Sequence, residues 1–451
     1  MHTLKSHSTK VDMTTGPILS RVLIFALPLI AGNILQQLYN TVDTVVVGRF
    51  CDSASLAAVG TSGQPVEILL HFFTGIGAAA SILVAQYTGR GESHRIGSLL
   101  RSANTLLYCI ALPLTIIGYF AGPLILRLMN VPADAFGYAT DYLRIIFFGT
   151  VASLGFNLNS GILKGLGDSG SSLIFLLISC VTNIALDLIF VAGFENGVAG
   201  VALATVIAQF VSWICSIIYI LRKYPEFGYS PLPVWPQREY LREIVRLGLP
   251  LGFNSSIYSV GHLVVQALIN TQGTAFIAGC SVATKLTGIS HIAVSALSAA
   301  AATYAGQNFG AGNKERLRKG HLLLPLGSGA LTLAVDMIFL VVSRPLIGIF
   351  TQDREVIRYA YFYLVWSLPY YCMYSVFNGI INFVHGVGEI RYPTFINILA
   401  LWGIRIPVAW LICRFFNGEY VILSFPISFA FGMISMLLYY RTGRWKDIIH
   451  S

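Results

Sequence analysis

The chain has 451 residues, 55% of them apolar and 11% charged, with a mean hydropathy of +0.71. A soluble domain carries roughly 25% charged residues, so a water-soluble enzyme of this length could not cover its surface, and an integral membrane protein remains. The net charge of +9 comes without basic patches interleaved with aromatics, so nucleic acid is excluded as the partner and the lipid bilayer takes its place.

Twelve apolar runs of the length needed to cross a bilayer follow one another along the chain. A polar N-tail, 1–17, shows no cleavable signal core. The first six spans lie near 18–47, 55–85, 97–126, 135–161, 170–193 and 197–221, within an N-terminal lobe over 18–222. A proline-rich linker, 223–240, leads to spans near 243–269, 275–306, 320–350, 356–384, 392–416 and 420–440 in a C-terminal lobe over 241–440. A C-tail, 441–451, closes the chain. The predicted fold is therefore an all-α polytopic membrane protein, and ten-residue alternating strands of a barrel are not the pattern.

Most of the 29 Lys and Arg fall in the N-tail, the even-numbered loops and the C-tail, among them Lys10, Arg21, Arg90, Arg95, Lys223, Arg316, Lys319 and Arg441. The odd-numbered loops and their flanks hold Arg49, Arg127, Arg344, Arg354, Arg358 and Arg414. Arg144, Lys285 and Arg405 lie within spans. The positive-inside rule then puts both termini in the cytoplasm.

The cysteines (Cys51, Cys109, Cys180, Cys215, Cys280, Cys372 and Cys413) stand singly, mostly in apolar stretches. They form neither a disulfide framework nor a zinc spacing, and the histidines show no ligand motif. No transition-metal site and no cofactor are expected, and no obligate protein partner is evident.

The chain repeats itself at an offset of 221 residues. Gln86, Gly89 and Gly91 match Gln307, Gly310 and Gly312, and Phe156-Asn157 matches Phe377-Asn378. Gly165-Leu-Gly167-Asp168 matches Gly386-Val-Gly388-Glu389. Six spans separate equivalent positions, so the two six-helix bundles share one orientation. Parallel repeats of this kind are known among transporters, with substrate between the lobes and alternating access. A G-x-x-x-x-G-K-[ST] motif is absent, so pumping would need an ion gradient. Gly89-Arg-Gly91 reads as a helix terminus.

Ionisable groups within spans are costly and by default functional. The acids there are Asp43, Glu67, Asp141, Asp187 and Asp336. The repeat is an internal control: Asp187 maps to Val408 and Asn183 to Ile404, while Asp43 maps to Val264 or Val265. A carboxylate needed only for folding would be expected in both halves, so the ion chemistry is placed in the first. Asp43 lies 22 residues beyond Arg21, about 33 Å along a helix, and Asp187 17 residues into its span, about 26 Å. Thr205 sits at a comparable depth. Asn183 and Asp187 share one helical face, as do Gln36, Tyr39 and Asp43. Two carboxylates with an amide and a hydroxyl suit a hard cation, and two adjacent acids equally suit a proton. Glu67 follows Pro65 and serves equally as a helix-start acid. His71 reads as a core histidine, Asp336 has no assignment, and Asp141 and Arg144 are expected to pair locally.

The stretch Gln36-Gln-Leu-Tyr39-Asn-Thr-Val-Asp43-Thr-Val-Val-Val-Gly48-Arg49, the paired Gln/Gly loops, Lys164-Gly-Leu-Gly-Asp168 and Asn183-Ile-Ala-Leu-Asp187 resemble the multidrug and toxic compound extrusion (MATE) family. The likeness is to the branch with an aspartate in the first span. The resemblance implies two six-helix bundles and export of organic cations against sodium or proton influx. It implies an ion-coupling set of Asp43, Asn183, Asp187 and Thr205. It also implies substrate-facing Gln36 and Tyr39, with Asn157 as a further candidate, and a helix hinge at Pro28. The seventh span has Gln266 and Asn270 but no acid, and the eighth has Lys285, so no second-lobe ion site is expected. The expected function is an ion-coupled antiporter, Na+ or H+, for amphipathic, cationic compounds. The alternatives are a lipid-linked precursor flippase of the same superfamily and, more distantly, a membrane-embedded enzyme.

Overall fold

In the computed structural model, residues 10–51, 53–129, 131 and 133–442 are described, with the side chains of 44, 53–54, 56–57, 60–69, 71, 128 and 134 outside the description. The Glu67 and His71 side chains therefore lie outside the described residues. Backbone polar groups in a bilayer must be satisfied within the chain, and helices do this throughout; among the described residues there is no strand.

The helices are α1 (Ile18–Phe50), α2 (Ser53–Arg90), α3 (Ser93–Leu128), α4 (Ala133–Phe148), α5 (Thr150–Leu166), α6 (Ser169–Asp187), α7 (Gly197–Lys223), α8 (Arg238–Ile269) and α9 (Thr274–Gly310). They continue with α10 (Lys314–Val341), α11 (Ser343–Phe350), α12 (Arg354–Gly386), α13 (Arg391–Ile398), α14 (Ile406–Phe415) and α15 (Ser424–Thr442). They follow the twelve predicted spans in order. Among the described residues nine helices are long and apolar enough to cross a membrane, or ten with the bent pair α4–α5 counted as one span. The other two, α8 and α12, have the length but are diluted by polar and tyrosine side chains.

Five predicted spans are not single α-helices: the twelfth opens with a 3-10 turn, Gly418–Leu423, before α15, and the other four depart for local reasons. Span four bends by 48° at Gly149, where a Cβ would strike the Val206 side chain; glycine lets α7 approach and the helix axis turns there. Span five runs into a π segment, Leu188–Gly193, and span eleven contains another, Leu399–Arg405. Pro407 follows the second closely. Its ring excludes the carbonyl four residues back, and the wider π turn accommodates it. Span nine is broken at Val342 between α10 and α11.

By packing, the described chain divides into two units. Residues 10–11 and 31–252 form the first, and 12–30 and 253–442 the second. The division within α1 falls after Ile30, two residues past Pro28, which lies inside a continuous helix.

In the first unit α2 and α5 meet through small residues. A Cβ on Gly161 would lie 2.5 Å from the Gly77 carbonyl oxygen, and one on Gly165 would strike the Ser81 carbonyl. Such spacing brings helix backbones together. In the second unit the repeat-equivalent Gly386 of α12 packs likewise on the Ala302 carbonyl of α9. Gly161→Ala should therefore destabilise the protein, by about 1–3 kcal/mol as overpacking does. Gly137→Ala, in open space, should be neutral or slightly stabilising through helix propensity. Thermal unfolding of the purified variants checks the opposite signs.

The repeated motifs prove to be chain-turning devices. Gly91 and Gly312 end α2 and α9 with φ of 73° and 65°, and Gly167 and Gly388 adopt φ of 87° and 96°, a region glycine enters at little cost. The acid after each of the latter caps a helix start: Asp168 accepts from the Ser171 backbone N–H, and Glu389 from that of Tyr392.

In the second unit, buried Met13 donates its N–H to Gln307 Oε1 at 3.0 Å, and its carbonyl accepts from Asn308 and Arg316. In the first unit, the segment after α7 lies along α3. There Asn104 donates to the Ser230 carbonyl, Tyr108 to that of Pro231 and Thr105 to that of Val234.

Candidate functional site

The first unit brings the predicted acids together. α1 carries Tyr39 and Asp43 one turn apart, α6 carries Asn183 and ends on Asp187, and α7 carries Thr205. Tyr39 Oη donates to Thr205 Oγ1 at 3.2 Å, and Asn183 Nδ2 donates to the same oxygen at 3.4 Å. The Asp43 carboxyl lies beside both Asp187 and Tyr39. Asn183 and Asp187 are fully buried.

The decisive feature is what these oxygens lack. Asp43 Oδ1, Asn183 Oδ1 and both Asp187 oxygens are buried without a hydrogen-bond partner. Buried polar atoms are ordinarily paired, and orphaned carboxylate oxygens are costly. Clustered as they are, they make an all-oxygen donor set that a hard cation or a proton would satisfy. The π segment starting at Leu188, directly after Asp187, belongs with this, because π turns recur at functional sites.

A layer of valines (Val46, Val47, Val191 and Val201) packs one turn beyond Asp43. Past it opens a cavity of about 520 Å3 lined by Phe50, Cys51, Tyr138, Asp141, Glu195 and Asn196, among others.

Other predicted residues are placed elsewhere. Gln36 is exposed on α1, and Asn157 is exposed on α5, where its amide donates to the Ser153 carbonyl at 2.8 Å. No hydrogen bond among the described residues joins either to the acid cluster. The expected Asp141–Arg144 pair does not form: Arg144 lies over the Tyr119 ring, 5.0 Å from its centre, and Asp141 faces the cavity. A ring on the neighbouring helix outcompetes a partner three residues away, since a cation over an aromatic face gains without needing a second charge.

In the second unit Asp336 is fully buried and accepts from Ser290 Oγ at 2.5 Å. Its repeat counterpart, Thr115, instead donates to a backbone carbonyl, that of Phe147. Among the described residues no group of three His, Cys, Asp or Glu is arranged to hold a metal ion.

The MatE family profile matches the chain twice, over residues 28–189 and 250–411, which reproduces the internal repeat. The chain belongs to the MATE family. A probable multidrug resistance protein, YpnP, of Bacillus subtilis is 27% identical over 96% of this chain and 97% of its own. The multidrug export protein MepA of Staphylococcus saprophyticus is 24% identical over 92% of each chain. A MATE crystal structure in a bent conformation superposes with a TM-score of 0.89 at 22% identity, covering 99% of this chain and 100% of the other. This MATE protein is thus a multi-pass membrane transporter, not an enzyme.

Proposed function

We propose that the protein is an ion-coupled antiporter of the cell membrane that exports amphipathic, cationic organic compounds, with both termini in the cytoplasm. The observation that carries the coupling is the buried cluster of unpartnered oxygens on Asp43, Asn183 and Asp187. The names of the relatives, multidrug resistance and multidrug export proteins, support the export of drug-like compounds.

In this reading Na+ or H+ moving inward down its gradient reaches the acids from the 520 Å3 cavity, whose rim carries Asp141 and Glu195. The valine layer is the barrier it crosses. Once bound, the cation offsets half the charge of two adjacent carboxylates and draws α1, α6 and α7 onto one centre. That biases a two-state transporter toward one access state, because a ligand shifts an equilibrium only by its preference for one conformation. Pro28 supplies a place in α1 where a backbone hydrogen bond is already missing, so the helix can bend there as the acids change state.

The test is transport in proteoliposomes loaded with a fluorescent organic cation, under an imposed sodium gradient or an imposed proton gradient. One of the two gradients should accelerate movement of the cation several-fold over the ungradiented control, and its identity names the coupling ion. Equal rates under all three conditions would sink the coupling.

A further inference from the structure

The fifth and eleventh spans are repeat equivalents, yet their charges are opposite. Where the first unit has Asn183, Ile184 and Asp187, the second has Ile404, Arg405 and Val408. Each span is widened by a π segment at its charged residue, Leu188–Gly193 directly after Asp187 and Leu399–Arg405 ending on the arginine.

Arg405 is 3% exposed. Its Nε donates to Ser428 Oγ at 2.9 Å, and its guanidinium lies over Phe425 and Phe429, 4.8 and 5.0 Å from the ring centres. Guanidinium carries five N–H donors, and among the described residues the others have no partner and no carboxylate forms an ion pair with it. The buried carboxylate of this unit, Asp336, accepts from Ser290 through Oδ1, its Oδ2 has no partner, and it forms no ion pair with the arginine. Lys285 is exposed and lies over Phe350. A cation held inside a membrane span without a counter-ion is expensive, and the donors left over have the fork geometry that binds oxyanions. The surroundings are aromatic: Phe429 contacts Tyr371 and Tyr374, with ring centres 5.6 and 4.8 Å away.

We propose that Arg405 anchors an anion-binding site inside the second unit. The site takes the carboxylate, phosphate or sulfonate head of an amphipathic ligand whose apolar body packs on Phe425, Phe429, Tyr371 and Tyr374. The two repeats then present opposite polarities from equivalent spans, an acidic one for a cation and a basic one for an anion. The ligands extend to zwitterionic and anionic amphiphiles. The site does not depend on the antiport reading, since it is defined by binding.

The test is calorimetric titration of the full-length protein in zwitterionic lipid nanodiscs with naphthalene-2-sulfonate and its neutral isostere naphthalene-2-sulfonamide. Wild type should bind the sulfonate about tenfold or more tighter, the scale of one charged hydrogen-bonded contact. In Arg405→Gln the difference should vanish while sulfonamide affinity stays, and Arg405→Lys, which keeps the charge but loses the fork, should retain part of it. Equal affinities in wild type overturn the proposal with no variant needed. So does a preference that persists in Arg405→Gln, or a variant that loses both ligands equally. Repeating the wild-type titration in discs containing phosphatidylglycerol separates the sources of the anion. Competition assigns the site to a lipid head, and unchanged affinity assigns it to a soluble amphiphile; either result supports an anion site.

Discussion

On the proposed coupling, Asp187→Asn should abolish gradient-driven transport, by about a hundredfold or more, as expected for an ionisable group placed at cost within a membrane span for function. The same substitution should leave the protein as stable as wild type or raise its melting temperature. Both Asp187 oxygens, Asp43 Oδ1 and Asn183 Oδ1 lack partners, and an amide in place of the acid brings N–H groups that can donate to its neighbours. On the proposed coupling the cluster is a place where stability is given up for function. Asp43→Asn follows the same pattern.

The neighbours grade the effect. Thr205→Val removes the oxygen that accepts from Tyr39 and Asn183 and should slow coupled transport about tenfold, the scale of one or two hydrogen bonds. Tyr39→Phe removes one of those bonds and should cost less. Initial rates in proteoliposomes, beside melting curves of the same samples, decide the matter. An Asp187→Asn protein that transports at the wild-type rate, or one that loses rate only because it unfolds, defeats the assignment.

The sequence is explicit about this site because both of its determinants are periodic. Helical spacing alone aligns Asn183 with Asp187 and Tyr39 with Asp43, and the repeat shows that the acids are dispensable to the scaffold. The convergence of α1, α6 and α7 on Thr205 could be anticipated only as a common depth; the hydrogen bonds that realise it are tertiary. The twelve spans were legible from apolar run length, and the two-fold organisation from glycines whose positive φ reappears in both halves.

What was hidden depends on neighbours distant in sequence. The bend at Gly149 follows from Val206, the placement of Arg144 from Tyr119, and the solitude of Arg405 from the placement of Asp336 against Ser290. Pro407 was a visible signal for the second π turn, as was the absence of any acid beside Arg405 in its own span. The roles of Gln307 and Asn308 in holding Met13 were likewise invisible, because nothing local in a polar N-tail announces that it docks.

The largest stability effect is expected at Asp168, one of the repeated-motif acids. It is fully buried and starts α6, accepting from Ser171 N–H at 3.2 Å, Tyr219 Oη at 2.7 Å, and Lys223 Nζ and Tyr224 Oη at 3.0 Å each. Tyr224 lies just past α7, and burial together with the adjoining carboxylate pushes its phenol well above the ordinary range. It therefore stays a donor at any physiological pH. Asp168→Ala strands these donors at once. Breaking a buried ion pair costs about 3–5 kcal/mol, but the Lys223 side chain is 32% exposed and can return to water, which brings the expected loss to about 2–4 kcal/mol. Asp168→Asn keeps the Oδ1 acceptor for the helix start but sets an amide NH2 against the three donors on Oδ2, so a smaller loss of about 1–2 kcal/mol is expected. Lys223→Met added to Asp168→Ala should recover part of the loss, since it removes the stranded cation. Because Tyr224 begins the segment that lies along α3, Asp168→Ala should also make residues 224–237 newly sensitive to protease, and Asp168→Asn less so. Melting curves and limited proteolysis together test the arrangement. Equal stability of the alanine and asparagine variants would show that the N–H at the start of α6 and the two phenols find other acceptors, and that Asp168 holds neither its helix start nor the segment after α7.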